Sequence, residues 1–170
     1  MEKTLLILNR MVKDGIIDQY AIGGAVAAIF YIEPINTNDL DIFFPLKQPD
    51  EGLDFLAPIY EYLARLGYSP QGEAIDIEGW PVQFLPVFNP LLDEAVNEAK
   101  EVKFHGVKAR IMQAEHLMAI MLQTGRLKDM ARIAEFAEQE VFDQELLNDI
   151  LIRHGLSGQW DSFRRQHLKK

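Results

Sequence analysis

The chain has 170 residues, 48% of them hydrophobic, a formal charge of −9 and no cysteine. That length and apolar content suit a sizeable buried core and exclude a disordered chain. The missing thiols exclude disulfides and thiolate zinc sites, and they make the reducing cytoplasm the default compartment. The acidic balance argues against general affinity for nucleic acid, because polyanions repel each other.

In chain order, Leu5, Leu8, Met11 and Val12 recur at helical spacing and predict a helix over 3–14 closed by Gly15. The opening apolar run is short and stops at Asn9 and Arg10, and no segment reaches the length of a membrane span. "YAIG" reads as a short buried strand, "AVAAIFYI" as a compact helix, and Pro34 with Asn36-Thr37-Asn38 as a loop. "DLDIFFP" is then a strand stopped by Pro45, which cannot donate to a ladder. Apolar positions at Leu56, Ile59, Tyr60, Leu63 and Leu66 predict a helix over 53–67.

Next, "EAIDIEG" and "PVQFLPV" form a predicted hairpin around Glu78-Gly79. Asn89 before Pro90 marks a helix start, since Asn caps well and Pro is tolerated in the first turn. "EVKFHGVKARI" predicts a second hairpin turning at His105-Gly106. From Gln113 onward the pattern is helical, over 114–124, 127–139, 143–154 and 158–168. The expected class is α+β, with a mixed core over 1–112 and a helical subdomain over 113–170 packed on it. Arg164, Arg165, Lys169 and Lys170 gather at the end, as suits the negative pole of a last helix.

The residues that call for chemistry lie in "YAIGGAVAAIFYIEPINTNDLDIFF". On a strand, Asp39 and Asp41 share one face while Leu40 and Ile42 take the other. Two carboxylates about 7 Å apart repel unless a cation sits between them, and magnesium suits such a pair because it takes one or two protein carboxylates plus water and phosphate oxygens. Taken alone, an Asp-x-Asp is more often a turn former followed by a solvated strand residue. Gly23-Gly24 changes that balance. Glycines at a strand–helix junction let a phosphate approach backbone N–H groups where the helix dipole favours anions. They also serve a merely tight turn, and neither the spaced-glycine dinucleotide fingerprint nor a P-loop is present.

A strand, Gly-Gly, a helix and then Asp-x-Asp on the next strand resembles the nucleotidyltransferase superfamily with the DNA-polymerase-β-like fold. Thr37 extends the match to Thr-x-Asp-x-Asp. Downstream, Glu115-His116-Leu117 opening one helix, and Arg126, Lys128 and Asp129 opening the next, resemble small prokaryotic members such as the AbiEii-like abortive-infection toxins. The resemblance implies a nucleotidyltransferase-like mixed sheet flanked by helices and followed by a helical bundle. It implies Asp39 and Asp41 as catalytic carboxylates holding Mg²⁺ on a nucleoside triphosphate. Gly23, Gly24, Thr37, Arg126 and Lys128 would then bind the nucleotide. The reaction implied is transfer of a nucleoside monophosphate to an acceptor: a small molecule, a protein hydroxyl or an RNA end.

The chain departs from that pattern in three places. Active members carry a third carboxylate on a later strand, and alternation selects Gln83 for that position; an amide can coordinate magnesium but cannot accept a proton. Asp76 and Glu78 are the candidate substitutes. Met121 stands where small members often have lysine, and Arg132 where they often have aspartate. A binding module with weakened turnover therefore stands beside the enzyme, as does an interaction protein of the toxin–antitoxin type. Other chemistries find little support: His105, His116, His154 and His167 are scattered, and Ser69, Ser157 and Ser162 lie in no nucleophile elbow.

Overall fold

The computed structural model describes residues 1–32, 37, 39–47 and 55–168. The predicted loop around Pro34, the first residues of the predicted 53–67 helix, and Lys169 and Lys170 fall outside them. Helix α1 (Glu2–Lys13) turns Thr4, Leu5, Leu8 and Met11 inward, and the Thr4 hydroxyl donates to the Ile77 carbonyl at 3.0 Å. Strand β1 (Ala21–Ile22) leads directly into α2 (Gly24–Ala28), which is shorter than the apolar run predicted. Strand β2 (Leu40–Phe44) buries Leu40, Ile42 and Phe44 on one face, as its period-2 pattern requires.

Helix α3 (Ala57–Arg65) follows, then β3 (Pro70–Gln71), which the sequence did not suggest, and the hairpin of β4 (Ala74–Ile77) and β5 (Trp80–Pro86). Helix α4 (Pro90–Asn97) starts where Asn89 predicts, with the Asn89 side chain accepting from the Leu92 N–H at 2.9 Å. The second hairpin is β6 (Lys100–Phe104) and β7 (Val107–Ile111). Four helices complete the chain: α5 (Ala114–Thr124), α6 (Leu127–Gln139), α7 (Gln144–Arg153) and α8 (Ser157–His167). All four lie within one residue of the predicted spans, because caps set their ends. Gly125 closes α5 in the left-handed conformation, and Asp143 accepts from the Glu145 and Leu146 N–H groups at the start of α7.

The strands form a seven-stranded mixed sheet in the order β3-β4-β5-β2-β1-β7-β6. The centre positions the site. β2 runs antiparallel to β1 and parallel to β5, in a register that sets Asp41 opposite Gln83. One apolar cluster runs from Leu5 in α1 to Phe163 in α8, with α5 packed against α2, α4, α6, α7 and α8. Among the described residues, no helix is long and apolar enough to cross a membrane.

Candidate functional site

The unburied face of β2 carries Asp41 and Phe43, and the same face of β5 carries Gln83 and Leu85. Helices α2, α5 and α6 wall this surface into a cleft of about 650 Å³. Gly24, Thr37, Asp39, Asp41 and Gln83 line one side, and Arg126, Lys128, Asp129 and Arg132 line the other. Met112, Leu117, Ile120 and Met121 supply apolar lining, so Met121 sits within the cleft.

The two glycines do different things. Gly23 N–H donates to the Asp41 carbonyl at 3.0 Å, continuing the β1–β2 ladder, so it is not available to a phosphate as the sequence reading expects. A side chain at Gly23 would collide with the Phe43 ring. Gly24 has φ +57° and borders the cleft, and a Cβ there would overlap Asp41 Oδ2. The pair is therefore needed first to seat the β2 side chains: one glycine admits Phe43 and the other admits the Asp41 carboxylate.

No described residue donates a hydrogen bond to the Asp39 or Asp41 carboxylate, and none forms an ion pair with either. Burial pushes the Asp41 carboxyl above the usual carboxylate range, and the Asp39 charge adds to this; Arg126, Lys128 and Arg132 oppose it from across the cleft. A half-buried carboxylate with a like charge beside it and no donor among the described residues has the electrostatics that a cation would relieve. Among the described residues, no group of three His, Cys, Asp or Glu side chains is placed to hold a metal. Two carboxylates and the Gln83 amide nevertheless make an all-oxygen donor set. Such a set fits magnesium, which completes its shell with water and phosphate oxygens rather than a third protein acid.

The expected substitutes for the third acid do not reach the cleft. Asp76 Oδ1 accepts from the Gly79 N–H at 2.9 Å within the hairpin turn. Glu78 accepts from the Tyr68 hydroxyl at 2.6 Å and pairs with Lys3 at 3.6 Å. Gln83 alone occupies the register position beside Asp41.

The downstream motif divides in the same way. Arg126, Lys128 and Asp129 border the cleft, whereas Glu115 and His116 are buried behind it. Glu115 Oε1 accepts from the Asp143 N–H at 2.6 Å at the start of α7. His116 Nε2 meets Glu94 Oε1 at 3.0 Å; Glu94 also bonds His154 at 2.7 Å and binds Arg153 through both of its oxygens. His116 is thus a core residue tying α5 to α4, not merely a helix-start residue. Sequence reasoning assigned no role to Asp129 and counted Arg132 as a departure. The i,i+3 spacing of Asp129 from both Arg126 and Arg132 was the available signal.

Comparison with solved structures places this architecture. Antibiotic-resistance factor ANT(2'')-Ia, in its crystal complex with adenylyl-2''-tobramycin, superposes with a TM-score of 0.51 over 98% of this chain and 99% of that one, at 14% identity. Its solution structure gives 0.51 at 15% identity over 98% of each chain. An antigenic nucleotidyltransferase-like protein from Paracoccidioides brasiliensis gives 0.53 at 12% identity, over 92% of this chain and 91% of that one. The chain has a nucleotidyltransferase-like fold. At these identities the likeness extends to architecture and not to individual residues. No protein-family model matches the sequence, and no curated protein does.

Proposed function

We propose that this chain is a magnesium-dependent nucleotidyltransferase, moving a nucleoside monophosphate from a nucleoside triphosphate to an acceptor in the cleft between β2 and α6. The observation that carries this reading is the placement of two carboxylates without a donor among the described residues, Asp39 and Asp41, in one cleft with three cations, Arg126, Lys128 and Arg132. An acidic wall suits a metal and a basic wall suits phosphates, and a metal-bound triphosphate needs both.

Asp39 and Asp41 would hold magnesium, with the Gln83 oxygen beside them. Bound there, the ion would neutralise charge on the departing pyrophosphate and polarise the α-phosphoryl group. Arg126 and Lys128 would hold the triphosphate tail, Thr37 would border the nucleotide, and Gly24 keeps space for the Asp41 carboxylate. The acceptor oxygen bonds to the α-phosphorus as the bond to pyrophosphate breaks. The acceptor proton passes to the Asp39–Asp41 pair or to water, since Gln83 has no basic atom. The complex of ANT(2'')-Ia with adenylyl-2''-tobramycin supports a small-molecule acceptor. The absence of cysteine supports a cytoplasmic location.

One observation favours a second reading. Gln83 lies directly opposite Asp41, so the cleft has no third acid there, which suits a nucleotide-binding module with weak turnover. Thermal melting with each nucleoside triphosphate, with and without magnesium, tests both readings. At a hundredfold excess over Kd, ligand adds about 2.7 kcal/mol, a rise on the order of 5–10 °C that Asp39→Asn/Asp41→Asn should abolish. Transfer of an α-phosphate label to a product then separates enzyme from binding module. No magnesium-dependent rise with any nucleotide rejects both.

A further inference from the structure

Asp129 is the buried carboxylate of the cleft that the proposed reaction leaves unused. It stands in the first turn of α6 with 1% of its surface exposed, yet caps no helix N–H. Its Oδ2 accepts from Arg126 Nε at 2.7 Å. Its Oδ1 is buried and has no hydrogen-bond partner among the described residues; Arg132 Nη1 stands 3.9 Å away. A buried carboxylate that is only half satisfied is costly, so helix stability alone does not account for it.

The geometry explains the cost. A carboxylate that takes Arg126 through Nε leaves both Nη groups of that guanidinium to other acceptors. Arg132 approaches the other oxygen at ion-pair distance without closing a hydrogen bond, and its side chain is only 18% exposed. Both guanidinium groups border the same cleft, nearly two turns of helix apart, with Asp129 midway between them. Lys128 also borders the cleft but makes no ion pair with Asp129.

We propose that Asp129 is a positioning residue that holds Arg126 and Arg132 as a paired guanidinium clamp for the phosphate tail of the nucleotide. This rests on the nucleotide-binding reading above and adds to it the group that aims the cations. Arg132, read from sequence as a departure from the family pattern, becomes half of the clamp. A planar fork held at its base recognises phosphate oxygens bidentately, which a solvated arginine does only after losing side-chain freedom.

The test is calorimetric titration of magnesium-ATP, magnesium-tripolyphosphate and adenosine into the wild type, Asp129→Asn, Arg126→Ala/Arg132→Ala and the triple variant, each checked for folding by circular dichroism. Asp129→Asn should weaken both phosphate ligands about tenfold, the value of one charge-assisted hydrogen bond, and leave adenosine unchanged. In the Arg126→Ala/Arg132→Ala background the same substitution should have no further effect, which a merely structural carboxylate would not show. Full phosphate affinity in Asp129→Asn, or an equal loss in both backgrounds, overturns the clamp while leaving the nucleotide site standing. A wild type that binds neither phosphate ligand overturns the clamp and the nucleotide reading together. If Asp129→Asn does not fold, Arg126→Lys/Arg132→Lys decides the question. It keeps both charges but loses both forks, so unchanged tripolyphosphate affinity would reject the clamp.

Discussion

Glu94 and Asp41 are both carboxylates set against helical packing, and they are treated in opposite ways. Glu94 uses both oxygens on Arg153 and one on each of His116 and His154, and these donors hold its carboxyl far below the usual range. Asp41 receives no donor from the described residues, and burial with the Asp39 charge pushes it up. A carboxylate whose lone pairs the protein has filled is a structural joint, here locking α5 and α7 to α4. One left without a protein donor at internal cost suits the metal site proposed for it.

The largest expected effect breaks the joint. Glu94→Ala leaves Arg153 and buried His116 without their acceptor and should cost about 3 kcal/mol, lowering Tm by about 6–12 °C while magnesium-nucleotide binding persists. Equal losses of melting temperature and ligand affinity would erase the contrast. Next comes Gly24→Ala, which forces a side chain into φ +57° and onto Asp41 Oδ2, and should cost about 2–3 kcal/mol. Gly125→Ala is its control: φ is +70° but nothing lies within 4 Å, so about 1 kcal/mol is expected from backbone strain alone. Urea unfolding of the pair measures what seating the aspartate requires.

A smaller effect of opposite sign is expected at Asp41. Asp41→Asn removes a crowded charge and should raise the stability of the unliganded protein by about 0.5–1 kcal/mol at pH 7. The pH dependence fixes the signs. Asp41 binds its proton more tightly folded than unfolded, so its cost is full above its folded titration point and is relieved as pH falls through that point. The benefit of Asp41→Asn should therefore shrink toward acid. Glu94 is shifted down, so its contribution is full above its ordinary carboxylate range and is lost as pH falls below it. The penalty of Glu94→Gln should hold from neutrality to that range and fade only below it. Melting curves of the two variants against pH thus converge on wild type from opposite directions. The smallest effect belongs to Glu101, which meets Lys108 at 3.0 Å on the surface; Lys108→Ala should change stability by less than about 0.5 kcal/mol.

Much of this molecule could be read from local pattern. The hairpin turns at Glu78-Gly79 and His105-Gly106, the Asn89 cap and the four final helices follow from signals within a few residues of each element. Alternation along β5 also selected Gln83 as the neighbour of Asp41, and the register places it there. What escaped was the use of each polar group. His116 and Glu94 lie 22 residues apart, and His154 and Glu94 lie 60 apart, so nothing local joins them. Gly23 and Gly24 looked like one motif, yet the β1–β2 pairing consumes the N–H of the first, and the position of Asp41 dictates the second.

The sequence by itself determined most of the elements, their order, and the alternation that puts Asp41 and Gln83 on one face, because hydrophobic period and caps act over one or two turns. Only the tertiary structure decided which charges are satisfied and which find no donor among the described residues. Glu94 is filled by donors brought from α5 and α7, while Asp41 and Asp129 face a cleft that exists only once α6 has folded over the sheet. Desolvation and pairing depend on distances in space, and those are set by packing between segments far apart in the chain.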